Sequence, residues 1–172
     1  MEFLSLAKQR CSVRKYKTDE IEKEKFDKIL EAARIAPTAA NAQSQRLLVI
    51  SSQEGKEKLS KGVNYHGAPL AIIVCGDHSD VFVRPFDKKD MVSVDATIVA
   101  DHIVFEAEDL GLSSCWLTYF DPAIIRKEFN IPSNLEPIAI IALGYADTEK
   151  ASPDRHSRDR KSLESLVCYE TF

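Results

Sequence analysis

Two stretches of this chain admit one kind of structure. Leu70-Ala-Ile-Ile-Val-Cys75 and Ile138-Ala-Ile-Ile-Ala-Leu143 are apolar at every position and rich in β-branched residues. Six residues is the length of a strand rather than a helix, and a strand apolar on both sides must be covered on both faces. The chain therefore predicts a sheet held between helices. Leu47-Leu-Val-Ile50 and Ser113 to Tyr119 read as two further strands. With two helices in front, four strands separated by helices make an α/β sandwich.

The helices follow from period and punctuation. Phe3, Leu6 and Ala7 have helical spacing, and this first helix fades before Arg10-Cys-Ser-Val-Arg14. Phe26, Ile29, Leu30 and Ala33 fall at i, i+3, i+4 and i+7 and make one apolar stripe,. Asp19 and Glu22 are spaced as a capping box at its start, and Pro37 stops it,. Glu54 to Ser60 reads as a short exposed helix. The longest element, Met91 to Leu110, is apolar around most of its circumference and closed by Gly111 in the C-cap position, so it belongs in the middle of the molecule,. Asp121-Pro122 places a capping carboxylate before a first-turn proline, starting a helix that ends near Asn130,.

After Gly144 the pattern changes. Asp147 to Arg160 carries little that can be buried, yet Leu163, Leu166, Val167, Tyr169 and Phe172 form an apolar terminus. Such an arm either docks on its own domain or wraps a neighbour, and exchange of arms between two copies is the second possibility made concrete. The 172 residues read as one domain, 1–172, with a C-terminal arm from about 146,.

Composition removes several function classes. A formal charge of -4 argues against nucleic acid as the partner,. The opening lacks a basic region followed by an apolar run, and no uncharged stretch is long enough to span a bilayer,. Cys11, Cys75, Cys115 and Cys168 are dispersed, as expected of reduced thiols in a cytoplasm,. The six glycines form neither Gly-x-Gly-x-x-Gly nor a P-loop, which disfavours a Rossmann dinucleotide site,. Cys75 and His78 have the spacing of half a metal site, but with no second ligand pair they read as a strand end entering a polar loop,. No metal is expected. His102, inside the long helix, reads as a hydrogen-bonded core or interface residue,.

Three segments carry candidate chemistry. Arg10-Cys-Ser-Val-Arg14 offers two guanidinium forks and a hydroxyl, suited to a phosphate or carboxylate; the alternative is a solvated basic turn,. Ala36-Pro-Thr-Ala-Ala-Asn-Ala-Gln43 offers two amides, suited to the edge of a heterocycle; the alternative is an Asx-type turn,. Gly111-Leu-Ser-Ser-Cys-Trp-Leu-Thr118 ends a buried strand in a wide aromatic, which core packing would also explain,. Arg158-Asp-Arg-Lys161 adds cations that a solvated arm would also carry.

In this order and spacing the segments resemble the nitroreductase family of FMN-dependent oxidoreductases, over essentially the whole chain. The family's Arg-x-Ser-x-Arg/Lys stands as Arg10 to Arg14, its Ala-Pro-Ser/Thr-x-x-Asn-x-Gln as Ala36 to Gln43, and its Leu-Gly-Leu-x-x-x-Trp as Leu110 to Trp116. Its late Gly-Tyr and basic Arg-x-Arg-Lys stand as Gly144-Tyr145 and Arg158 to Lys161. The resemblance implies a three-layer sandwich with a mixed central sheet of four to five strands, in a homodimer with exchanged tails.

It also implies roles. Arg10, Cys11, Ser12 and Arg14 would hold the FMN phosphate, ribityl chain and pyrimidine edge, and Arg158 and Arg160 would close on the phosphate. Pro37, Thr38, Ala39 and Asn41 would reach the flavin from the facing subunit. Trp116, Leu117 and Thr118 would pass beside the isoalloxazine, with a backbone N–H near Thr118 serving flavin N5 and no catalytic side chain. NAD(P)H would be the donor and a nitroaromatic, quinone or enone the acceptor, in a ping-pong cycle. A flavin-dependent dehalogenase or dehydrogenase, or a flavin-binding protein without turnover, are the other readings. The chain departs from the pattern at Ser44-Gln45, where many members have Pro and an aromatic, and in the short connection from Gly76 to Asp90, which leaves an open substrate site.

Overall fold

The computed structural model describes residues 2–172; residue 1, the first of the opening read above, lies outside them. Helix α1 (Phe3–Gln9) is capped by Glu2, whose carboxylate accepts the Leu4 and Ser5 N–H groups at 3.1 Å each,. Helix α2 (Lys23–Ile35) starts just past Glu22. The expected capping box does not form, because the Glu22 carboxylate accepts the Tyr145 hydroxyl at 2.5 Å instead of a backbone N–H. A charge-assisted bond to a distant tyrosine has displaced the local one.

Strand β1 (Gln45–Ile50) leads into α3 (Gln53–Ser60), capped by Ser52. Next come β2 (Leu70–Asp77), α4 (Val92–Asp109), β3 (Ser113–Leu117), α5 (Pro122–Glu128), β4 (Leu135–Gly144) and α6 (His156–Asp159). The strands lie in the order β1-β2-β4-β3, each antiparallel to its neighbour. Of the mixed sheet expected, the parallel part is an isolated bridge between Ser12 and Ser114 beside β3.

Alternation along β2 explains its unbroken apolar run. Leu70, Ile72 and Val74 join Ala139, Ile141 and Leu143 of β4 under α2 and α4. Ala71, Ile73 and Cys75 join Ile140 under α3 and α5 on the other face. Helix α4 buries nine of its 18 residues. Its end is a Schellman motif: Gly111 takes φ +77°, its N–H donates to Glu108 O at 3.0 Å, and the Leu112 N–H donates to Ala107 O at 2.9 Å,.

Boundaries moved where tertiary contacts intervened. β3 stops at Leu117, short of Tyr119, because Asp121 is drawn to Gly62 O (2.8 Å) and caps α5 through the Ala123 and Ile124 N–H groups. α5 stops at Glu128, and Asn130 turns left-handed at φ 51°. Among the described residues no helix is long and apolar enough to cross a membrane.

The arm is tethered at its root and unsupported beyond it. Lys15 and Asp147 pair at 2.8 Å, and Lys150 reaches both oxygens of buried Glu108 at 2.8 and 2.9 Å. Further on, Leu163 is 73% exposed, Tyr169 85% and Phe172 fully so. Of the two fates open to the apolar terminus, docking on its own domain does not occur.

Candidate functional site

Segment 10–14 leaves α1 and runs beside β3. The Val13 N–H donates to Ser114 O at 3.0 Å, next to the Ser12–Ser114 bridge. Alternation then sorts the side chains. Cys11 and Val13 turn into a small core with Tyr16, Ala68, Cys115 and Ala142, while Arg10 and Ser12 are half-buried and Arg14 is exposed. This is no free basic turn: the sheet fixes its backbone. Burial raises the Cys115 thiol against the opposing pull of the Arg14 charge, and burial together with that charge lowers the His66 imidazole. His66 therefore stands near Arg14, where nothing in its sequence neighbourhood pointed.

A second missed residue is Arg155. Its guanidinium donates to Arg10 O at 2.7 Å and to Lys8 O at 3.2 Å, satisfying carbonyls at the end of α1,. The arm is thereby brought back to the segment that carries Arg10. Arg158 and Arg160 emerge three and five residues later, both exposed. Basic runs look alike in sequence; which member turns inward is settled by the carbonyls it meets.

On β3 the Ser114 hydroxyl is buried without a hydrogen-bond partner. Trp116 packs half-buried on the α4 side of the sheet and Leu117 on the opposite side. The tryptophan ring is a core group, as the packing alternative had it. What this strand end leaves for a ligand is the Ser114 hydroxyl and the backbone near Thr118, an exposed residue one past the last paired position.

Pro37, Thr38, Ala39 and Asn41 lie elsewhere, on the loop that feeds β1. Its core is a tight turn, Ala39–Asn41, with Ala40, Asn41 and Gln43 at φ 52°, 54° and 54°. The Thr38 side chain accepts the Gln43 N–H at 3.0 Å, and Ser44 O accepts the Asp77 N–H at 2.8 Å. The Ala39 N–H donates to Asp95 at 2.9 Å. Gln45, next in the chain, keeps a buried side-chain oxygen with no partner.

The two groups of residues do not meet within one chain. β1 and β3 are opposite edges of the sheet, three strand spacings or about 14 Å apart,. They also lie at opposite ends of the strands: Gln45 is level with Gly76, whereas Ser114, through Leu143, is level with Leu70, a separation of about 20 Å along β2,. Cys75 and His78 diverge as well. The thiol is buried and raised to about 11 by that burial, whereas the His78 ring sits outside between Asp90 (3.1 Å) and Glu136 (2.8 Å). His102 bonds Ile98 O within its own helix at 2.9 Å.

Residues 7–64 and 61–145 match the model of the Nitroreductase family. The chain belongs to the nitroreductase family. A Methanothermobacter thermautotrophicus protein provisionally named NADH dehydrogenase/NAD(P)H nitroreductase is 33% identical over 172 residues, covering 95% of this chain and 87% of its own. A crystal structure of a nitroreductase family protein from Clostridium difficile 630 is 51% identical, covers both chains completely and superposes with a TM-score of 0.98. An FMN-dependent nitroreductase from Clostridium difficile R20291 is 33% identical, with 98% and 99% coverage and a TM-score of 0.81.

The residues of this nitroreductase fit a flavin mononucleotide. Arg10 and Arg14, with Arg158 and Arg160 on the arm that Arg155 anchors, could supply the charge-assisted donors a phosphate requires,. Beside them Ser114 holds a buried hydroxyl that the protein itself leaves unpaired. An unsatisfied buried polar group is costly unless a ligand or water meets it.

Proposed function

We propose that this nitroreductase is an FMN-dependent oxidoreductase that uses NAD(P)H for the two-electron reduction of a small acceptor such as a nitroaromatic, quinone or enone. The observation that carries the reading is the fixing of Arg10–Arg14 against β3, beside the unpaired Ser114 hydroxyl, in a chain of this family. The names of similar proteins agree with it: one in Bacillus subtilis, 23% identical, is an NAD(P)H-dependent FMN reductase.

FMN, when bound, would supply the two-electron redox chemistry between NAD(P)H and the acceptor. The protein's residues bind and orient. Arg10, Arg14, Arg158 and Arg160 would hold the phosphate end, and Ser12 and Ser114 would serve the hydroxyls of the chain between phosphate and ring. The backbone near Thr118 would offer an N–H donor to the flavin ring, where an aimed donor stabilises developing charge. No side chain on β3 is needed as acid or base.

The same reading makes the protein a homodimer. Loop 37–41 lies at the far corner of the sheet from Arg14, so it reaches a flavin held by Arg14 from a second copy. Two apolar surfaces support this. One is the unsupported arm end. The other is a groove of about 450 Å³ across α1, α2 and α4, lined by Phe3, Leu6, Ile35 and Phe105, with Phe3 65% and Ile35 61% exposed,.

Purification tests the reading directly. The protein should be yellow or take up added FMN, and NAD(P)H should bleach it under anaerobic conditions. A colourless protein that binds no FMN would refute the proposal; one that binds FMN but is never bleached would refute the enzymatic part.

A further inference from the structure

Asp95 has its side chain sealed from solvent, at 0% exposure, in the first turns of α4. It falls in register with Val99 and Ile103 on the buried stripe, where an apolar residue is expected,. Its carboxylate is turned toward the loop before β1. One oxygen accepts the Ala39 N–H at 2.9 Å, and the other accepts the Ser44 hydroxyl at 3.4 Å. A single buried group thus ties down the turn on both sides of Ala40, Asn41 and Gln43, all three held at positive φ. Left-handed backbone at residues other than glycine persists where the surroundings enforce it. Ser44 is itself fully buried.

We propose that Asp95 is the positioning residue of the flavin-facing loop: with Ser44 it locks the left-handed turn that presents Asn41 to the cofactor. This rests on the reading of the chain as an FMN enzyme. The Ser44 hydroxyl, satisfied by a carboxylate from α4, restrains the loop on its C-terminal side. The helix N-terminus favours a carboxylate at this place without a counter-cation. Because α4 also packs against β1, β2, β3 and β4, the loop is referenced to the central helix and through it to the rest of the site.

The test compares Asp95→Ala, Asp95→Asn and Ser44→Ala with the wild type. Asparagine can accept the Ala39 N–H and donate to the Ser44 oxygen, so it preserves both contacts. Wild-type FMN uptake, measured first, decides the underlying reading separately. Given that uptake, D95A should bind FMN about tenfold more weakly, the loss expected when a buried hydrogen-bonding partner is removed. It should also change the visible circular dichroism of bound flavin. D95N should restore affinity and spectrum to near wild type, and S44A should fall between. Without FMN, amide exchange at Ala39 to Ser44 should quicken in D95A and S44A while strands β2 and β4 stay protected. If D95A fails to fold, S44A carries the test alone through its affinity, spectrum and exchange. Folded variants with wild-type FMN affinity, spectrum and loop exchange overturn the proposal, as does a D95N that is no better than D95A.

Discussion

Arg14 and Arg160 arrive at the phosphate end of the proposed site by different routes. Arg14 is held by the pairing of Val13 with Ser114, and Arg160 by an arm that Arg155 fastens to α1. Loss of either charge-assisted contact should weaken FMN binding by about 1.5–3 kcal/mol. Titration of the apoprotein with FMN measures this for Arg14→Ala and Arg160→Ala, and unchanged affinity removes that residue from the site. Thr118 tests a backbone role. Thr118→Ala should keep most of the activity, whereas Thr118→Pro removes the N–H and should lose it with FMN still bound. Abolished turnover in the alanine variant would assign the work to the hydroxyl. His78 makes a different prediction. Glu136, and after it Asp90, raise its pKa above the ordinary 6.5. Its stabilising contribution is complete below the unfolded value and is lost as pH rises through the higher folded one. The ring is 41% exposed, so the contribution stays below about 1 kcal/mol,. Wild-type stability should therefore decline relative to His78→Gln as pH rises above 6.5, and parallel pH profiles would show that the bridge contributes nothing.

Among the elements, β2 and α4 come into tight contact at Gly76. A Cβ added there would lie 2.5 Å from a Val92 methyl carbon and 3.3 Å from the Val92 carbonyl oxygen. Gly76→Ala should therefore push α4 away from the sheet at the end that carries Asp95, costing about 1–3 kcal/mol. Val92→Ala in the same chain should recover part of that loss, since it removes the nearest clashing atom; denaturant titration of the two single variants and the double variant gives the coupling. Additive losses would mean that the backbone contact, not the methyl, sets the limit. Element types were legible from the chain because each rests on a local period: the full apolar runs of β2 and β4, the broad apolar surface of α4, the Asp121-Pro122 start of α5. Element ends were less so. Glu22 and Tyr119 were misplaced because Tyr145 and Gly62, far off in sequence, hold the groups that settle those boundaries.

Taken whole, the molecule leaves an apolar groove and an apolar arm end uncovered in one chain, and it holds the two groups proposed to contact flavin at opposite corners of one sheet. Obligate dimers join through large apolar interfaces, above roughly 2,000 Å². If folding and association are coupled here, the melting temperature should rise with protein concentration. Deleting residues 161–172 should lower both dimer stability and FMN occupancy, read by sedimentation and by flavin absorbance. A truncated chain that is monomeric, folded and fully loaded with FMN would exclude the shared site. Sequence alone determined that there is a sheet covered on both faces by helices, with a long central helix, a polar arm ending in apolar residues, and basic and amide segments in nitroreductase order. These properties lie in neighbouring residues, where periodicity, capping and turn chemistry act over a few positions. Tertiary structure alone decided that the strands run β1-β2-β4-β3 and antiparallel, that Arg155 rather than Arg158 anchors the arm, and that Asp95 belongs to the loop at Asn41. Pairing order and the partners of a buried carboxylate join groups dozens of residues apart, and which of them meet depends on the packing of the whole chain.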